Sequence, residues 1–230
     1  MSLPKTQRPS VQASNELSLA LRLIKWTLLG VSLWVGWHIL APYAHYMPPD
    51  FEQGFLLGKR SFFYRNGYWI GFFAHIVAAP LALFLGALQC SQTVLRRWPA
   101  FHRYLGRAYG ISVLGFAAPG GLVMATHAYG GLSGAICFAL IAVGAWLATW
   151  IGWRAARARA FDSHRRWMLR SYTLILSAVA LRLINIGLSS FELDHELTYQ
   201  ISAWASFVLP LAGLEWGIRQ RTDNANAIGS

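Results

Sequence analysis

Six apolar stretches, each of about 20 residues or more, constrain the fold of this chain more than any other feature. They cover residues 19–40, 68–95, 104–127, 132–153, 167–188 and 198–217. A helix of that length crosses a hydrocarbon core of ~30 Å and satisfies its own backbone hydrogen bonds. The sequence therefore predicts an all-α, polytopic membrane protein. We expect a bundle of six transmembrane helices, formed by a single domain that spans residues 19–217.

The composition supports a membrane protein rather than a soluble domain. Hydrophobic residues make up 55% of the 230 residues, and charged residues only 13%. A soluble globular domain has about 25% charged residues. The 11 Trp residues fit side chains that mark the two membrane–water interfaces. The lipid bilayer is therefore the first predicted partner.

The net charge of +11 has an unequal distribution that predicts the orientation. Six spans place 16 of the 20 Lys and Arg residues on one side of the membrane. Cytoplasmic loops carry the excess of Lys and Arg in membrane proteins. Residues 1–18 and 218–230 are thus predicted to be cytoplasmic tails. Because topology explains the charge, nucleic acid is not an expected partner.

A histidine pair is predicted on the cytoplasmic side, at the starts of the third and fifth spans. His102 and His164 are each followed directly by Arg. A b-type haem needs two imidazoles from different helices, and arginines can hold its propionates. Arg103 and Arg107 are candidates for that second role. The alternative is that these His-Arg clusters are only topology signals and phosphate anchors.

A second histidine pair, His75 and His127, is predicted at the outer side. His102 and His127 lie 25 residues apart, close to seven helical turns, so an unbroken helix would place them on one face. Residues 119–121, Pro-Gly-Gly, are expected to kink or loosen that helix. Two stacked haems, ligated by the four histidines, would form an electron path across the membrane.

The second span carries a stripe of small residues between His75 and Gln89. At helical spacing the stripe is suited to close packing against a planar cofactor, with both ends as binding candidates. Alternatively, the small residues let helices approach, and His75 forms a hydrogen bond across a helix pair.

Arg182 lies about six residues inside the fifth span, on the same helical face as His164. A cation at such depth is costly and by default faces the bundle interior, where it marks a site. A propionate, a quinone oxygen or an anionic substrate would suit its guanidinium. Alternatively, the side chain reaches past Leu188 to the outer surface.

Three functions are compatible with these residues. The first is haem binding with transmembrane electron transfer to quinone or another redox protein, which would make the chain a membrane oxidoreductase. The second is a transporter or channel for a small anion or metabolite that uses Arg182. The third is a membrane enzyme or accessory factor with zinc or copper bound by the histidines, and a protein without any cofactor also stays open.

Three segments together resemble a bacterial membrane protein family, domain of unknown function 2306. They are residues 73–89, with Phe-Ala-His at their start, residues 102–109, and residues 164–183, which open on His-Arg-Arg-Trp-Met-Leu-Arg-Ser-Tyr. The resemblance implies a multi-helix protein of the bacterial inner membrane and no established activity. More loosely, the layout is similar to two-haem b-type cytochromes and to ferric-reductase-like membrane bundles, which implies haem as the cofactor.

Overall fold

The computed structural model describes residues 34, 37, 38, 40–191 and 193–229. The predicted first span, 19–40, and the predicted tail, 1–18, fall almost wholly outside the described residues. The chain divides into two compact units, Met1–Leu57 and Gly58–Ser230. Each unit is considered by itself below.

The described part of the first unit includes two short 3₁₀ helices, Ala41–His45 and Gly54–Leu56, and the turn between them. The Asp50 carboxylate accepts hydrogen bonds from the Gln53 side chain and from the backbone N–H of Glu52. These two bonds stabilise the ionised form and lower the pKa of Asp50.

The described residues of the second unit form helices joined by short turns, with no strand among them. The helices are α1 (Arg60–Phe63), α2 (Tyr68–Gln89), α3 (Gln92–Arg97), α4 (Pro99–Ala125), α5 (Gly131–Arg157), α6 (Phe161–Ser189) and α7 (His195–Gly229). Helices α2, α4, α5, α6 and the first 26 residues of α7, to Gln220, are each long and apolar enough to cross a membrane. The prediction of an all-α, multi-pass membrane protein is confirmed for the described residues.

Three helices begin or end at residues other than those predicted from the apolar spans. The second span ends at Gln89 instead of 95, because Ser91 caps the separate helix α3 by accepting a hydrogen bond from the Val94 N–H. Helix α6 already begins at Phe161, so that His164 and Arg182 share one helix. Helix α7 continues to Gly229 through the predicted tail.

Helix α4 contains a π-helical segment, Ser112–Ala117, just before Pro119. Proline has no backbone N–H, so a carbonyl in the preceding turn loses its helical donor. The Trp146 indole of α5 donates a hydrogen bond to the Leu114 carbonyl at 3.2 Å, and the Ser112 hydroxyl donates to the Ala78 carbonyl at 2.8 Å. The predicted loosening is therefore present, but the helix continues through Pro119.

The helices form a bundle in which α2 and α4 share the most extensive interface, and α6 packs extensively on both α5 and α7. Helix α2 packs on α4 and α6, and α7 packs on α6 and α5. Glycines allow the closest approaches: a Cβ at Gly110 would lie 2.6 Å from the Trp153 ring. Gly110 and Trp153 also line the cavity described next.

Candidate functional site

A cavity of about 750 Å³ opens at the basic end of the bundle. The end of α2, helix α3, the start of α4, the end of α5 and the start of α6 surround it. Its volume lies within the ~300–1,000 Å³ typical of ligand and cofactor sites. The predicted site residues that line it are Gln89, His102, Arg103, Arg107 and His164.

His102 and His164 both line the cavity, although 61 residues separate them in the chain. The His164 Nδ1 lies 2.8 Å from the carbonyl oxygen of Gly152 on α5. Because a carbonyl only accepts, this contact requires a proton on Nδ1, and Nε2 of the neutral ring then keeps its lone pair. The structure thus brings together two imidazoles from two helices.

Gln89 acts on His102 through the backbone. Its side-chain amide donates a hydrogen bond to the His102 carbonyl at 2.7 Å. The carbonyls in the first turns of a helix usually accept from N–H groups four residues later, so this bond is an additional link between α2 and α4. Gln89 therefore fixes the position of the His102 segment, in addition to lining the cavity.

Four arginines make the cavity wall strongly basic. Arg103 and Arg107 come from α4, Arg157 from α5 and Arg165 from α6. None of the four forms an ion pair with an acidic residue in the part of the chain that the structure describes. Asp162 is the acidic residue among those that line the cavity. The wall therefore favours ligands with anionic groups.

Three buried hydroxyl groups form a hydrogen-bonded chain at the base of the cavity. Thr149 donates to the Ala145 carbonyl at 2.7 Å, so its single proton is used. Ser171, 2.6 Å away, must then donate to Thr149, and Tyr109 must donate to Ser171 at 2.7 Å. The three side chains are at most 1% exposed. All three protons therefore point in one direction, from α4 through α6 to α5.

His75 lies away from this cavity and contacts α4. Its Nδ1 donates a hydrogen bond to the Ala117 carbonyl at 2.7 Å, and a Cβ at Gly121 would lie 3.0 Å from the ring. Of the two interpretations of this side chain, a hydrogen bond across a helix pair is thus present. Whether the stripe from His75 to Gln89 also binds a cofactor stays a prediction.

His127 contacts different groups from those around His75. Its ring stacks on Phe62 with centroids 3.9 Å apart, and Tyr68 meets it edge-on. The expectation that His102 and His127 share one face required an unbroken α-helix. A π turn contains one extra residue, which rotates the following side chains by about 100°. Helix α4 ends at Ala125, before His127, and includes this π segment, so the unbroken α-helix that the expectation required is absent. The shared face stays a prediction.

Arg182 also lies outside the cavity. Its guanidinium donates a hydrogen bond at 2.7 Å to the carbonyl of Ala178, one turn earlier on α6. Asn185, the next residue on this face, has its amide 3.5 Å from the Ser202 hydroxyl of α7. Anion binding by Arg182 stays a prediction, and it would be separate from the histidine site.

An ion pair between α6 and α7 was not predicted from the sequence. Arg170 binds both carboxylate oxygens of Glu215, with distances of 2.6 and 2.8 Å. The guanidinium also lies 4.6 Å from the centroid of the Trp167 ring. Matching the depth of the two residues in adjacent spans would have revealed the pair, because both lie near the basic end.

The described residues contain no group of three or more His, Cys, Asp or Glu side chains arranged to hold a metal ion. Zinc and copper sites use three or four protein ligands. A haem iron needs at most two ligands from the protein, so the histidine pair in the cavity is enough for haem although it is too few for zinc or copper.

A family model described as a predicted membrane protein, DUF2306, matches residues 72–215. This range contains the whole cavity-forming region and the Arg170–Glu215 pair. The comparison with curated proteins finds no match, and neither does the comparison with solved structures.

Proposed function

The chain belongs to the DUF2306 family of predicted membrane proteins, and for this member we propose that the basic cavity binds b-type haem for transmembrane electron transfer. His102 and His164 would be the axial ligands. The observation that carries the proposal is that both imidazoles, from α4 and α6, line one cavity with unpaired arginines.

The residues present fit a haem in three respects. Ligating histidines usually donate their second ring N–H to a carbonyl or carboxylate, as His164 does to Gly152. The buried Nδ1 of His102 has no hydrogen-bond partner among the described residues, so no hydrogen bond through this atom ties the ring to another element. Arg103 and Arg107 are placed to bind propionate groups, for which arginine is well suited.

A bound haem would supply reversible one-electron chemistry. The protein's part is to hold the ligands and to keep water from the apolar portion of the cavity, where Leu95, Met168 and Leu169 contribute. The exchange partner in this proposal is quinone or another redox protein.

The proposal includes the orientation of the protein. Residues 19–40 would add a sixth span, and both termini would face the cytoplasm at the inner membrane of a bacterium. The concentration of arginines at the cavity end supports this. Alkaline phosphatase fused after residue 230 should be inactive and a fluorescent protein there should be bright. The opposite pattern would reject the orientation.

The test is an absorbance spectrum of protein purified from cells with ample haem supply. We expect a Soret band and bis-histidine, low-spin α and β bands after reduction. His102→Ala should change the bands, and His164→Ala should reduce haem content severalfold. His195→Ala is the matched control, because His195 lies at the start of α7 and does not line the cavity.

A folded wild-type protein without a Soret band would reject haem binding. If His127→Ala or His75→Ala instead removed about half of the haem, a second haem at the outer side would be indicated. Iron, zinc and copper analysis of the same sample would separate haem from a histidine-bound metal.

A further inference from the structure

The two cavity histidines are held in different ways. The His164 ring is fixed by its hydrogen bond to the Gly152 carbonyl. That carbonyl is itself well fixed, because a Cβ at Gly152 would lie 2.7 Å from the Met168 sulfur, where α5 and α6 are in close contact. His164 is therefore oriented by a rigid partner on a neighbouring helix.

The His102 ring has no such bond within the described residues. Its Nδ1 is buried and without a hydrogen-bond partner. The bond from Gln89 reaches only the His102 backbone, so it positions the segment and does not hold the imidazole itself. Loss of the hydrogen bond that the second ring N–H of a ligating histidine makes commonly lowers metal affinity 10–100-fold.

We infer that the two histidines are unequal ligands: His164 is the permanent ligand, and His102 is the exchangeable one. The inference rests on the proposed haem function. Beyond that function, we infer that a small neutral diatomic ligand can replace the His102 imidazole on its side of the cavity. Gln89 is a positioning residue that determines how readily His102 leaves, because it fixes the segment that carries this ring.

The experiment compares haem retention with carbon monoxide binding in the purified, haem-loaded protein. His164→Ala should weaken haem retention at least tenfold more than His102→Ala does. The reduced wild-type protein should bind carbon monoxide, and His102→Ala should bind it at least tenfold more tightly. Gln89→Leu should raise carbon monoxide affinity severalfold, measured per bound haem, whereas Gln92→Leu, which makes no hydrogen bond to the His102 carbonyl, should leave that affinity unchanged.

A measurement without haem tests the geometric basis. Nitrogen-15 NMR of the histidine-labelled apoprotein should show a proton on Nδ1 of His164, as also expected for His75, which donates to the Ala117 carbonyl. This readout applies even if His164→Ala fails to fold. A His164 ring without a proton on Nδ1 would remove the asymmetry on which the inference depends.

The possible failures can be told apart. If the folded wild-type protein takes up no haem, the proposed function and this inference both fail. If haem binds but the two alanine variants lose it equally, or carbon monoxide does not bind to the reduced protein, only the inequality of the ligands is refuted.

Discussion

Ser171 is the middle member of the hydroxyl chain, and its replacement by alanine tests the direction deduced for the three protons. Ser171 is fully buried. It accepts from Tyr109 at 2.7 Å and donates to Thr149 at 2.6 Å. Alanine removes both bonds. Thr149 still donates to the Ala145 carbonyl, so Tyr109 is the side chain left with an unused O–H.

The expected cost follows from those two losses. Side-chain hydrogen bonds between membrane helices contribute about 0.6 kcal/mol on average. A buried donor left without an acceptor costs about 1–3 kcal/mol more. Ser171→Ala should therefore destabilise the protein by about 2–4 kcal/mol. Tyr109→Phe removes the donor itself and strands no proton, so it should cost only about 1 kcal/mol in hydrogen bonding.

The assay is a double-mutant cycle, with the free energy of unfolding measured in mixed detergent micelles. In the Tyr109→Phe background, Ser171→Ala should cost about 1.5–3.5 kcal/mol less than in the wild type, because the Tyr109–Ser171 bond is already absent and no orphaned phenol remains. Equal costs in the two backgrounds would refute the chain. If Tyr109→Phe were the more damaging substitution, the deduced direction would be wrong.

Two further predictions concern helix packing. Gly110→Ala places a methyl group 2.6 Å from the Trp153 ring and should destabilise the protein by about 1–3 kcal/mol. Gly187→Ala meets nothing within 4 Å and should stabilise α6 by up to ~1 kcal/mol. Thermal unfolding in detergent measures both variants, and equal effects would contradict the close approach of Gly110 to Trp153. Glu215→Gln should destabilise the protein by about 1 kcal/mol or less, since the Arg170 and Glu215 side chains are 22% and 37% exposed. In a double-mutant cycle with Arg170→Gln, the two losses should not add. Additive losses would mean that the pair does not stabilise the bundle.

The elements of the fold that depend on local pattern were predictable. Apolar length predicted the five described spans, since a membrane helix needs about 20 such residues whatever its neighbours are. Helix ends were less predictable. The end of α2 depends on the Ser91 cap, and the start of α6 at Phe161 places polar residues in a helix that hydropathy alone treats as a loop.

The cavity was predictable only in part. His102 and His164 share a visible signal, a His-Arg pair at the start of a span, and the structure places both in one cavity. The hydroxyl chain has no comparable signal. Tyr109, Thr149 and Ser171 come from three helices, and Ser and Thr in an apolar helix are equally typical of simple close packing. Their connection appears only once the helices are in contact.

The π segment of α4 has a consequence for how this chain relates to its kin. When one residue is inserted into a helix whose two ends cannot shift, the extra residue is accommodated as a π turn. Relatives shorter by one residue within 112–117 are therefore expected to have a regular helix there. In them, the outer half of this helix would present a different set of side chains to its neighbours. Deleting Gly115, which meets nothing within 4 Å, would reproduce such a relative in this protein.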